Sequence, residues 1–332
     1  MVNLLTAALA MLLSFLCTGL ALVYVRRAGL LDVPGERHSH SEATPRGGGA
    51  GIVLALVATA VVLSGSRMPG DAFTVILPGF ALLALLGWAD DHRPLRARTR
   101  FVVQLLVCIF LVWNLPPGGP FAVAWFLVPA VLFAAWMINL YNFMDGSNGM
   151  AAAQGVFAGL VLAGLFLTGG DPGYAELGLL MAACCAGFLP WNLGRARVFM
   201  GDVGSLALGF LIAALLLYGI AGGAFSLPVG LMVMAVFLTD STLTLLLRVS
   251  RGERWYNAHR QHLYQRLIAR GWTHGRVLLL YQSVNLVLVL PAIVFGVSRP
   301  EWAWPVAVVL AAVLALAWYL SLKRIGVLAA AR

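Results

Sequence analysis

FMGDVGSLALGFLIAALLLYGIA, residues 199–221, carries no charged side chain after Asp202. A bilayer core requires about 20 apolar residues per helix, so Val203 to Ala221 reads as a membrane span with an acid at one mouth. Ten further runs share that character, at 2–25, 48–66, 72–89, 101–115, 121–140, 150–168, 174–191, 227–248, 277–297 and 302–322. Gly and Pro loops or charge clusters separate them. The expectation is an all-α, polytopic integral membrane protein of about 11 transmembrane helices, with residues 1–332 forming one membrane-embedded domain and no internal repeat.

The composition agrees. The chain is 61% hydrophobic and 11% charged, with mean hydropathy +0.91, far more apolar than one soluble core needs. A net charge of +9 would suggest nucleic acid in a soluble protein. Here the location of the basic residues excludes that reading, because twenty of the 22 Lys and Arg fall on one side when loops alternate, against Arg67 and Arg299 on the other. The positive-inside rule makes the basic side cytoplasmic, with the N-terminus outside and the C-terminus in the cytoplasm. The opposite loops are short and rich in Gly and Pro, as in LPPGGP at 115–120 and TGGDPG at 168–173. Function is therefore expected on the cytoplasmic face. The first run lacks Lys and Arg before Arg26 and is too long for a signal peptide, so it is expected to remain as a span. Cys17, Cys108, Cys184 and Cys185 all lie in apolar runs and receive no chemistry.

Five cytoplasmic segments hold the chemistry-bearing residues: DVPGERHSHSEATPRGGG (32–49), ADDHRPLRARTR (89–100), NLYNFMDGSNG (139–149), FMGDVGS (199–205) and AHRQHLYQR (258–266). Asp90, Asp91, Asp145 and Asp202 put hard oxygen ligands where helices meet the membrane surface, which suits magnesium. That ion takes only one or two carboxylates and leaves positions for phosphate oxygens, so sparse acids beside many arginines point to phosphate chemistry. Plainer readings exist: Asp90 and Asp91 as a solvated loop pair, and Asp202 as the N-cap of its own helix. His259, His262 and Arg266 would share a face of any helix formed there and could grip a diphosphate; no nearby Cys or carboxylate completes a zinc set. Asp240 lies inside the ninth run, where an acid is either functional or a buried structural partner.

Together the five segments resemble the polyprenyl-phosphate N-acetylhexosamine-1-phosphate transferase family over nearly the whole chain. NLYNFMDG with HRxHxYQR is most similar to the branch that initiates O-antigen synthesis, and differs from the triple-histidine form of the peptidoglycan branch. The resemblance implies that Asp90, Asp91 and Asp145 are catalytic, that Asp202 and Asp91 are the metal ligands, and that Asn139, Asn142 and Asn148 are substrate contacts in the same segment as Asp145. Arg37, His40, Arg46, Arg100, His259, His262 and Arg266 match its other polar positions, with Asp240 grouped among the substrate contacts. Asn148 departs from the family, since many relatives have DGxDG where this chain reads DGSNG. An Asn can coordinate or hydrogen-bond but cannot act as a base.

The implied reaction is attack of a polyprenyl phosphate on the sugar-proximal phosphorus of a UDP-N-acetylhexosamine, expelling UMP, in the bacterial inner membrane. The implied cofactor is Mg2+, with Mn2+ as its substitute, and the implied partners are the two substrates, the lipid bilayer and a second copy in a homodimer. The pathway would be lipopolysaccharide O-antigen or another cell-surface glycan. One alternative is a transporter or flippase using Asp240 in a pathway for a charged solute; nearly uncharged outer loops speak against it. Another, a CDP-alcohol phosphotransferase, lacks its DGxxAR signature.

Overall fold

The computed structural model describes residues 4–32, 43–63, 67–253 and 259–327. Within the described residues each of the eleven apolar runs is mainly helical, but not every one is a straight span. Eight helices are long and apolar enough to cross a bilayer among the described residues: α1 (Leu4–Arg27), α3 (Ala72–His92), α5 (Ala124–Met144), α6 (Met150–Thr168), α7 (Pro172–Asn192), α8 (Asp202–Ala221), α12 (His274–Ser298) and α13 (Pro300–Arg324). A ninth is α9 (Leu227–Val233) with α10 (Ala235–Ser250), if this pair bent by 80° is one span. The expected count of 11 is therefore not reached by length and composition. The second run yields α2 (Ala50–Ala58) and a π-turn over Thr59–Leu63. The fourth yields α4 (Ala97–Trp113) of 17 residues, which at about 1.5 Å per residue falls short of a core of about 30 Å. The chain is an all-α polytopic membrane protein; among the described residues the β structure is confined to Leu31–Asp32 paired with Thr44–Pro45 and a single bridge between Arg46 and Phe199.

Two compact units make up the chain, Met1–Val33 with Glu42–Phe225, and Pro34–Ser41 with Ser226–Arg332. In the first, α8 is the axis. Its residues from Val203 to Ala221 are all buried, and α3, α5 and α6 pack around it while α1 packs on α7 and α2. Between membrane helices close packing replaces the hydrophobic effect as the source of association, so small residues at crossings matter. Gly87 is one: a Cβ there would lie 2.2 Å from the Asp202 carbonyl oxygen. This close approach sets the C-terminal end of α3 directly against the first turn of α8.

In the second unit α10 packs on α13, α9 packs on both α12 and α13, and a short helix α11 (Leu263–Ala269) follows α10. The 80° bend falls at Met234, whose φ of −112° and ψ of 18° leave the helical region. At two other places helix irregularity has a covalent cause. π-turns at Ala72–Ile76 and Asn285–Val289 each run up to a Leu-Pro pair, Leu77-Pro78 and Leu290-Pro291, where the missing proline N–H disrupts the regular ladder.

Candidate active site

The acids of the first unit are assembled by helix ends. α3 stops after His92 because Arg93 turns extended (φ −145°, ψ 113°) ahead of Pro94, the conformation a following proline favours. The turn is closed by Asp90, whose Oδ1 accepts from the Leu95 N–H at 2.6 Å. α8 starts at Gly201, which serves as its N-cap with φ 75° and ψ 173°, a region essentially confined to glycine. A Cβ at Gly201 would also stand 2.6 Å from Asp91 Oδ2. Asp202 is therefore the first helical residue, and the plainer reading of it as the N-cap of its own helix does not hold.

The cap comes from another helix. Asp91 Oδ1 accepts from the Asp202 N–H and Oδ2 from the Val203 N–H, both at 3.1 Å. The same Oδ1 pairs with Arg46 Nε at 2.9 Å. Arg46 is delivered by a short strand-like pairing with Phe199, held by Gly47 and Gly48 N–H groups donating to the Phe199 carbonyl. Thus Asp91 meets the positive end of a helix macrodipole and a guanidinium at once.

A second arginine ties the remaining acids together. Arg100 Nη1 lies 2.6 Å from Asp90 Oδ2 and 3.2 Å from Asp202 Oδ2. Asn142, in the last turn of α5, donates from Nδ2 to Asp202 Oδ1 at 2.9 Å and to Ser205 Oγ at 2.8 Å. Asp145 joins the cluster beyond the end of α5. Burial pushes its carboxyl well above the usual carboxylate range, Asp202 and Asp91 add to the rise, and Arg46 with the Gly201 N–H oppose it. The physical cause is plain: four carboxyls face two guanidinium groups, and removing charge from water disfavours the ionised form.

Asn139 and Asn148 stand apart from this cluster. Asn139 Nδ2 donates to Gln104 Oε1 on α4 at 2.9 Å and to the Ala135 carbonyl at 2.7 Å. Asn148 Nδ2 donates to the Gly194 carbonyl at 2.7 Å, and the adjacent Gly149 N–H donates to Asn192 Oδ1 at 2.6 Å. Both brace backbone. Ser205 and Asn192 were not singled out from the sequence. Ser205 had a signal, as the last residue of GDVGS; Asn192, at the end of an apolar helix, had none. Arg37 and His40 lie outside the described residues.

The second unit brings Asp240, His259, His262 and Arg266 into one neighbourhood, though not on one helical face. α11 begins only at Leu263, with His262 as its N-cap, so His259 precedes the helix. The two imidazole rings are 4.8 Å apart. Burial pushes His259 down to about 3, with His262 and Arg248 adding to the fall, and burial likewise lowers His262 against the pull of Asp240. Both rings are neutral at pH 7, so they offer N–H groups and lone pairs rather than positive charge. Arg266 folds back on Gln261, donating from Nε to its carbonyl at 2.6 Å and from Nη2 to Oε1 at 3.1 Å.

Among the described residues no three His, Cys, Asp or Glu side chains converge as a complete metal set. Magnesium asks for less, since waters and phosphate oxygens fill most of its positions. The donors present fit such an ion: Asp90 and Asp202 are all-oxygen ligands already sharing one cationic nitrogen, and the acid excess over Arg46 and Arg100 calls for added positive charge. Asp91 fits less well, with both oxygens engaged by α8 and one also by Arg46.

Helices that end in acids, asparagine and arginine beside the buried α8 define a membrane-embedded protein with a charged, polar site at its helix ends. The profile of Glycosyl transferase family 4 matches residues 73–220, the stretch that contains α3 to α8 and all four acids. A probable undecaprenyl-phosphate N-acetylglucosaminyl 1-phosphate transferase of Bacillus subtilis (strain 168) is 30% identical, covering 81% of this chain and 78% of its own length. A decaprenyl-phosphate N-acetylglucosaminephosphotransferase of Mycolicibacterium smegmatis is 31% identical over 92% of this chain and 86% of its own. An undecaprenyl-phosphate alpha-N-acetylglucosaminyl 1-phosphate transferase of Yersinia pestis is 28% identical over 90% and 88%. The chain belongs to Glycosyl transferase family 4.

Proposed function

We propose that this protein transfers an N-acetylhexosamine 1-phosphate from a UDP-sugar to a polyprenyl phosphate in the bacterial inner membrane, releasing UMP. What carries the reading is the convergence of Asp90, Asp91 and Asp202 with Arg46 and Arg100 at the junction of α3 and α8, in a family whose relatives bear polyprenyl-phosphate transferase names. The basic loops argue that this end faces the cytoplasm, where nucleotide sugars are made.

The exchange of one pyrophosphate linkage for another needs little driving force; it needs two anions held in line with their repulsion neutralised. Arg46 and Arg100 are the cations on hand. Mg2+, held by Asp202 with Asp90 as the better-placed second carboxylate, would supply charge neutralisation on the diphosphate. Asp91 keeps α8 and Arg46 in register. Asp145, favoured in its protonated form, can donate a hydrogen bond to a phosphate oxygen or accept a proton from the acceptor once ionised. Asn142 fixes the Asp202 carboxylate through Oδ1. The product would enter O-antigen or another surface glycan.

The test is purified protein with polyprenyl phosphate, Mg2+ and a panel of UDP-N-acetylhexosamines, reading UMP and the mass of the lipid product. Joint appearance of UMP and a lipid-diphosphate-sugar, lost in Asp90→Asn and Asp202→Asn, is expected. No reaction with any nucleotide sugar would sink the reading. Chelation should abolish turnover and Mg2+ restore it; full turnover in chelator would remove the metal from the mechanism.

A further inference from the structure

Asp240 is the most heavily hydrogen-bonded acid among the described residues of the second unit. It is 2% exposed. Its Oδ1 accepts from the Leu263 N–H at 2.8 Å, Trp318 Nε1 at 3.2 Å and Thr244 Oγ1 at 3.2 Å. Its Oδ2 accepts from the Tyr281 hydroxyl at 2.7 Å and the Tyr264 N–H at 3.5 Å. A carboxylate offers about four lone-pair sites, and five donors from four helices fill them. Nothing is left with which to touch a substrate or guide a solute.

We infer that Asp240 is a positioning residue: it pins the first turn of α11 to α10, α12 and α13 and so fixes where His259 and His262 stand. The inference rests on the transferase reading for its enzymatic half. Two of the five donors are consecutive backbone N–H groups of α11, and the residue immediately before them is His262, whose Nδ1 lies 4.0 Å from Asp240 Oδ1. A second tether holds the same segment from the side. Glu253 Oε2 accepts from Arg248 Nε at 2.9 Å and from Gln261 Nε2 at 2.8 Å, and Gln261 in turn receives Arg266. His262 lies between these two anchors and His259 accepts from the Gln261 N–H at 3.3 Å, so the placement of both depends on groups that do no chemistry themselves.

Three variants of the full-length protein separate positioning from bulk folding: Asp240→Asn, Leu263→Pro and Leu263→Ala, each alone and with His259→Ala. Leu263 is the first helical residue of α11, preceded by an extended His262 (φ −60°, ψ 149°). Proline is tolerated there, so Leu263→Pro deletes one N–H that Asp240 accepts while leaving α10 untouched. Leu263→Ala controls for the lost side chain.

The expected result is a kcat loss of about 10²-fold in Asp240→Asn and Leu263→Pro, as for a misplaced group, with Leu263→Ala near wild type. Adding His259→Ala should cost nothing more, because residues acting through one another are non-additive. Wild-type kcat in Leu263→Pro, or a full additional His259 loss on top of Asp240→Asn, overturns the inference. Should Asp240→Asn fail to fold, Leu263→Pro carries the kinetic test. If the wild type itself transfers no sugar, the transferase reading fails and the anchor is still read by amide exchange at Tyr264. Faster exchange in Leu263→Pro than in Leu263→Ala sustains it, and equal exchange overturns it.

Discussion

At the residue scale the two adjacent aspartates do different things. Asp91 is a cap: an Asn in its place would keep one acceptor and turn an NH2 toward an α8 N–H. Asp91→Asn is therefore expected to lower stability by about 1–2 kcal/mol, the range for losing a helix cap, besides abolishing turnover. Thermal unfolding in detergent checks it, and an unchanged midpoint would show the cap to be dispensable. Asn148 gives the opposite experiment. Asn148→Asp rebuilds the DGxDG phrase of many relatives, but it would point a carboxylate at the Gly194 carbonyl that the Asn amide now satisfies. The expectation is lost stability of about 1–3 kcal/mol, the cost of an unsatisfied polar contact, with no gain in turnover; a faster variant would mean that Asn148 faces substrate. The acids of the cluster were legible because DD, DG and GDVGS stand out between apolar runs. The capping role of Asp91 was not, because a cap donated by a different helix leaves no local spacing to read. The plainer reading of Asp202 as the cap of its own helix does not hold, because Gly201 takes that place with a φ of 75° that an Asp seldom adopts.

At the element scale, hydrophobic run length located the long helices, missed the short α11, and failed where tertiary packing decides geometry. The proline π-turns carry a sequence signal. The 80° bend at Met234 carries none, since no Gly or Pro lies within the break. The histidine segment shows the same limit: a spacing of three and four predicts a shared face only if the helix has already begun, and α11 starts too late. Its titration is nevertheless predictable. His259 is held down to about 3 by burial, so a folded pKa below the ordinary value contributes stability that is complete above about 6.5 and lost as pH falls toward about 3. The wild-type unfolding midpoint is expected to drop between pH 7 and pH 5, and His259→Gln to drop less. Equal slopes would mean that the imidazole is already solvated.

At the scale of the whole molecule, charge asymmetry gives a topology that can be tested without any enzyme assay. In a Cys17→Ser background, Arg98→Cys should react with an impermeant maleimide only after cells are opened, and Arg299→Cys in intact cells; the reverse pattern would invert the assigned orientation. One consequence of the architecture concerns the lipid rather than the chain. Every residue of α8 from Val203 onward is shielded by protein, whereas two thirds of the α1 span window is not buried. A change in bilayer thickness is taken up by tilt of helices that touch acyl chains, at a fraction of a kcal/mol per Å. The helix that carries Asp202 has no such boundary, so thickening or thinning the membrane should strain the periphery of this unit while leaving the acid cluster in register, and turnover in thin and thick nanodiscs should differ far less than thermal stability does.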